Sequence, residues 1–161
     1  MTIKHINSQI TTRPQGLILL LILSLVMLGA RATGGGEAET SFQLGRQNYD
    51  KGAYEAAIEA FSVAVKLAPD TSTYHHWLGK SYGRLAQNSN LFKAYRLAGK
   101  TREELERAVA LDDKNIEATE DLLEFYLQAP VFLGGGQDKA DRLRRRLKEL
   151  HRQYVSPPDQ T

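Results

Sequence analysis

Leu44 to Pro69 reads LGRQNYDKGAYEAAIEAFSVAVKLAP, and much of its pattern returns downstream. Leu44-Gly45 recurs as Leu78-Gly79 after 34 residues, the interval of a helix-turn-helix solenoid repeat. The second half of the unit recurs later: Ala64-Val65-Lys66-Leu67-Ala68-Pro69 becomes Ala108-Val109-Ala110-Leu111-Asp112-Asp113 after 44 residues. Leu78 is matched by Leu122, and Tyr82 by Tyr126, on that same 44-residue beat. One insertion of ten residues between Tyr82 and Leu105 accounts for every offset. Repeats of this kind stack into binding surfaces, because each hairpin leaves an apolar face that only its neighbour can cover.

The residue types suit that role. Gly45 and Gly79 have no side chain to hold off a neighbouring helix, and Ala57, Ala64 and Ala108 are nearly as small. Tyr49, Tyr54, Phe61 and Leu67 fill the space that remains. Gly52, after Asp50-Lys51, suits a positive φ at the end of a first helix. Pro69 stops the second helix and drives Ala68 out of the α region. Helices are expected near 38–50, 53–67, 72–86, 92–111, 115–128 and 137–153, with no segment alternating as a strand would.

Leu44, Gly45, Gly52, Tyr54, Ala57, Phe61, Ala64 and Pro69 fall at the spacings of a tetratricopeptide repeat, which the stretch 38–71 resembles in full. The stretch 72–115 resembles a second repeat through Leu78, Gly79, Tyr82, Ala108 and Leu111. It departs from the family by its insertion, by Leu105 in the place of Phe61, and by Asp113 where proline is usual. In 116–153, Leu122 and Tyr126 fit, but Leu123 replaces glycine and five extra residues precede Ala140. The run from Gln128 to Ala140 resembles a form seen in short exported bacterial members. The resemblance implies an all-α fold, a short right-handed α-solenoid of about three antiparallel helix pairs spanning 38–155. It also implies a scaffold that binds proteins or peptides.

The first 32 residues read as a targeting segment. Lys4, His5 and Arg13 precede an unbroken apolar run, Gly16 to Ala30, and Ala30-Arg31-Ala32 offers a small-x-small cleavage site. The run has 15 residues, short of the roughly 20 that span a bilayer comfortably. Cleavage makes the protein periplasmic or secreted; left uncut, residues 16–30 anchor it in a membrane. The chain has no cysteine, which excludes disulfides and lipoprotein attachment. Loss of Lys4, Arg13 and Arg31 turns a net charge of +2 into about −1, which removes any global argument for nucleic-acid binding. Residues 33–40 read as a flexible linker, and 156–161 (Ser-Pro-Pro-Asp-Gln-Thr) as a disordered tail.

Within the insertion at 87–96, Asn90 suits the cap of one extended helix, while Thr101 with Glu104 offers a capping box for a separate later one. The single long helix is favoured. Leu91, Phe92, Tyr95 and Leu97 would then overhang the repeat and cover part of its surface, or form an exposed lip for a partner.

Nothing points to catalysis, a metal or a cofactor, and an enzyme is not expected. His75 and His76 are adjacent, so on a helix their rings diverge by about 100°; they read as surface or groove residues. Gly134-Gly135-Gly136 leads into a helix but lacks the Gly-Lys-Ser/Thr of a phosphate loop, and reads as a turn. Charge is more informative. No acid occurs between Thr71 and Arg102, nine acids fall between Glu103 and Glu124, and Lys139 to Arg152 is basic again. Ala140, Leu143, Leu147, Leu150 and Tyr154 form an apolar stripe on that last helix, whose cationic back suits a solenoid cap or, alternatively, contact with anionic lipid, cell-wall polymer or a partner's acidic helix.

In the family, the first helix of each pair lines a concave groove. By that register the resemblance implies groove positions at Phe42, Arg46, Tyr49, His76, Lys80, Gly83, Arg84, Glu117, Glu120, Asp121 and Glu124. Arg46, Lys80 and Arg84 could pair with a carboxylate. The Lys/Asn pattern of the carboxylate-clamp subfamily is not matched, since Phe42, Arg46 and Trp77 stand in its places. The expected function is an exported adaptor for an unknown protein or peptide. The alternative is a structural subunit that completes its few repeats by self-association or permanent docking.

Overall fold

The computed structural model describes residues 35–155, and these are helical throughout apart from turns. Six helices follow one another: α1 (35–50), α2 (Tyr54–Leu67), α3 (Ser72–Gln87), α4 (Leu91–Leu111), α5 (Ile116–Gln128) and α6 (Gln137–Val155), with a 3-10 turn at Val131–Leu133. There is no strand among the described residues. From α2 onward each helix packs on the next in the chain, α3 also touches α5, and α1 meets α2 where Phe61 lies over Gly45, the arrangement of stacked hairpins. The export-peptide reading of 1–32 and the tail reading of 156–161 lie outside the described residues.

The boundaries have local causes. Gly52 takes φ 74° and turns the chain from α1 into α2. Ala68, ahead of Pro69, leaves the helix at φ −140°. The Asn90 and Asn115 side chains accept the Lys93 and Ala118 amides, each at 3.0 Å, and so cap α4 and α5. Thr101 opens no separate helix. It lies inside a continuous α4, where its hydroxyl donates to the Leu97 carbonyl at 3.0 Å. The linker expected at 33–40 is corrected for residues 35–40, which already belong to α1. Ala38 is buried there, which gives this turn of helix a packing face.

Close helix approach depends on the paired glycines. A Cβ on Gly45 would lie 2.5 Å from the Phe61 ring, and one on Gly79 would lie 3.0 Å from Leu105 Cγ. Leu105 thus occupies in the second hairpin the place that Phe61 holds in the first. Two buried clusters result. Ala38, Phe42, Ala57, Phe61, Ala64, Tyr74 and Leu78 join α1, α2 and α3, while Leu105, Leu122, Tyr126 and Ala140 join α4, α5 and α6.

A partly buried polar chain ties the second hairpin to the third. The Asn115 amide donates to Ser72 Oγ at 2.9 Å, and Ser72 Oγ donates to the Ala108 carbonyl at 2.9 Å. After Pro130 the three glycines make a turn that only glycine fits. Gly134 takes φ 92°, and a Cβ on Gly135 would collide with the Ala129 carbonyl. The Gly136 amide then donates to the Tyr126 carbonyl, satisfying one of the open carbonyls of α5. On α6, Ala140, Leu147 and Leu150 are buried, but Tyr154, read as part of the same stripe, is exposed.

Candidate functional site: a cleft between the inner helices

Trp77, the only tryptophan, stands half-buried on α3 at the edge of the first cluster. Tyr49 meets it edge-on at 5.3 Å between ring centroids. The Arg46 guanidinium lies 4.3 Å above its ring, and the Lys80 ammonium is 5.3 Å away. Each cation is held favourably there, because the π quadrupole attracts positive charge. Arg46 Nε is buried with no hydrogen-bond partner among the described residues.

Beside this platform, α3 and α5 are joined through Asp121. His76 Nε2 lies 2.6 Å from its carboxylate, and Lys80 Nζ lies 3.6 Å away. Burial works to raise the Asp121 pKa, but the His76 hydrogen bond and the Lys80 charge outweigh it and hold the carboxyl below the usual aspartate range. Burial, opposed by the Arg84 charge, pushes the Tyr49 hydroxyl up. His75 makes a second tie, its Nδ1 2.6 Å from Glu104 and its Nε2 2.9 Å from the Pro69 carbonyl.

A cleft of about 270 Å³ opens next to these groups, lined by Tyr49, Lys80, Gly83, Arg84, Asp121 and Glu124, with Phe125, Thr101, Gln87 and Gln128. It runs into a second hollow of about 200 Å³ that is walled by Ala86, Ala98, Ala129 and Leu133 and shares Phe125 with the first. One end therefore offers both signs of charge, and the other offers an apolar seat. That combination suits a segment carrying a polar or charged group beside an apolar side chain.

Of the positions expected to form a groove, Tyr49, Lys80, Arg84 and Glu124 meet in this cleft, with Gly83 and Asp121. Arg46 lies alongside them on Trp77. Three expectations are corrected. Phe42 is 6% exposed, because its ring is packed against Phe61 and Tyr74, the latter at 4.9 Å. His76 is 1% exposed under its Asp121 bond, and neither it nor His75 is a surface or groove residue. Glu120 is absent from the cleft wall and lies 3.8 Å from His151 of α6. The register argument missed Phe125, although it lies four residues after Asp121 and so on the same helix face. Thr101 comes from the middle of α4, where no sequence signal marks it.

The family model described as TPR repeat matches residues 45–85, from the second half of α1 almost to the end of α3. This is tetratricopeptide repeat sequence. No curated protein matches the chain. Among solved structures it is similar to the Arabidopsis OM64 TPR domain, with 16% identity, 72% of this chain and 98% of that chain covered, and a TM-score of 0.46. Tetratricopeptide repeats form protein-interaction scaffolds, and the concave side of such a stack is the binding face. Here Arg46 and Tyr49 of α1 and Lys80 and Arg84 of α3 fall on tetratricopeptide sequence that the model matches.

Proposed function

We propose that this chain is an exported, non-catalytic tetratricopeptide adaptor that holds a segment of a partner protein in its inner cleft. The observation that carries the reading is the joining of a mixed-charge wall (Lys80, Arg84, Asp121, Glu124) to an apolar hollow over Phe125. An extended segment is accommodated with one apolar side chain seated over Phe125 and a neighbouring charge facing Arg84 or Glu124. Support for export, and with it for work in the cell envelope, comes from the basic start, the Gly16–Ala30 run and the Ala30-Arg31-Ala32 site.

Site-specific photo-crosslinking in the native host tests the cleft. A crosslinker at Gln128, inside the cleft, yields a discrete protein adduct that Arg84→Glu together with Tyr49→Ala abolishes. One at Glu59, exposed on α2, yields none. Equal adducts from both positions, or a Gln128 adduct indifferent to the double substitution, overturn the site. Export is tested by fractionation with N-terminal sequencing. A start at Thr33 in the envelope fraction supports it, and an intact Met1 in the cytosol overturns it.

A further inference from the structure

The first turns of α4 and the 3-10 turn after α5 meet in an apolar lip. Leu91 and Phe92 are 81% and 86% exposed, and Val131 and Phe132 are 81% and 75% exposed. Tyr95 joins the two segments, its ring stacked 6.4 Å from that of Phe132 at an interplanar angle of 13°. Of the two arrangements the sequence left open, covering the repeat or standing exposed, only Leu97 takes the first, being buried, while Leu91, Phe92 and Tyr95 are exposed. Contiguous exposed apolar groups of this size mark an interaction site.

The charges around the lip say what meets it. Neither Leu91–Arg102 nor Ala129–Gln137 contains an acid, while Lys93, Arg96, Lys100 and Arg102 are all cationic. Lys93 is paired with Glu55 at 3.1 Å, and Lys100 lies 5.0 Å from the Tyr82 ring. Arg96 is exposed one turn beyond Phe92. A second copy of the same patch would bring these cations against their like. A partner helix docks by laying its apolar face in a groove, whereas this lip protrudes. Protruding Phe, Leu and Tyr with flanking Arg and Lys match the boundary of a bilayer, where aromatic rings settle at the headgroups and cations meet anionic lipid.

We propose that this lip seats the domain on an anionic lipid surface. Leu91, Phe92 and Phe132 enter the headgroup region, and Arg96 and Lys100 lie at lipid phosphates. This contact is separate from the cleft and from whatever the Gly16–Ala30 run does.

The absence of cysteine allows a local test in the full chain. An environment-sensitive fluorophore is attached through Val131→Cys, and through Glu59→Cys as a control. Vesicles of equal parts phosphatidylglycerol and phosphatidylcholine blue-shift the probe at position 131 and leave the one at 59 unchanged. Vesicles of phosphatidylcholine alone shift neither. Phe92→Ser with Phe132→Ser abolishes the shift while the far-ultraviolet circular dichroism stays unchanged. Arg96→Glu weakens partitioning roughly tenfold or more.

Vesicles that pellet the chain without shifting the probe at 131 overturn the proposal, because membrane binding then runs through another segment. An equal shift on phosphatidylcholine overturns it too, as does a lipid-free shift that grows with protein concentration, the mark of self-association. A lipid-silent probe at 131, with a discrete protein crosslink from the same position, overturns it in favour of a protein partner.

Discussion

Gly45 is the residue on which the first hairpin depends most directly. Its missing side chain is filled by the Phe61 ring, which is itself fully buried and has no space to retreat into. Gly45→Ala is therefore expected to lower stability by about 1–3 kcal/mol through overpacking. Gly79→Ala should cost less, because its nearest neighbour, the Leu105 side chain, begins at 3.0 Å. Urea unfolding of both variants checks the order, and a larger loss at Gly79 would contradict it. Titratable residues set the pH limits. Burial, aided by the Glu106 carboxylate that accepts its hydroxyl at 2.7 Å, pushes the Tyr126 pKa well above its ordinary value. A raised pKa contributes stability that is complete below about pH 10, where the unfolded tyrosine is neutral, and is lost as pH rises toward the folded value. Asp121 has the opposite sign: its lowered pKa gives stability present above about pH 4 and lost as pH falls through the folded value. Melting temperature against pH should thus fall at both ends. Tyr126→Phe should flatten the alkaline fall and Asp121→Asn the acid one, and unchanged slopes would refute the assignment.

At the scale of the element, the helices show which sequence signals are reliable. Asn90 caps α4 in the expected place and Asn115 caps α5, and removing either cap should cost about 1 kcal/mol. Asn115→Ala should cost more than Asn90→Ala, because Asn115 also holds Ser72 across the hairpins; equilibrium unfolding of the two variants decides it. Helix existence and several ends were legible because their causes are local: glycine at 52, proline at 69, asparagine at 90. The choice of one long α4 was legible for the same reason, since the Asn90 cap lies next to the turn it closes. The partners of His75 and His76 were not. Glu104 and Asp121 lie 29 and 45 residues further on, and no helical spacing connects groups that meet only by stacking. The cleft was half legible. The register placed Tyr49, Lys80, Arg84 and Glu124, but it could not tell that Phe42, on the same helix as Tyr49, turns into the core against Tyr74. The sequence left the lip open between covering its repeat and standing exposed, because periodicity shows only that Leu91, Phe92 and Tyr95 share a side of α4. It does not show that α4, with 21 residues to the 16 of α3, carries that side past its packing partner.

For the whole molecule, the two buried clusters divide the middle hairpin, with α3 in the first and α4 in the second. They meet where Leu105 fills the hollow over Gly79. That contact has a kinetic consequence. Helices that pack on their sequence neighbours make mostly local contacts, so the chain should fold fast, in microseconds to milliseconds. Leu105 of the second cluster is covered by the first only when the middle hairpin closes, which makes the meeting of Gly79 and Leu105 the step that joins the two. Leu105→Ala should accordingly slow folding, giving a φ-value in the upper half of the range. Leu143→Ala, on the last helix, should mainly speed unfolding. Stopped-flow chevrons of the two variants would show it, and the reverse pattern would move the nucleus to one end. A repeat array of this kind can in principle begin folding anywhere along its length; splitting one hairpin between two cores gives this chain a preferred place to start.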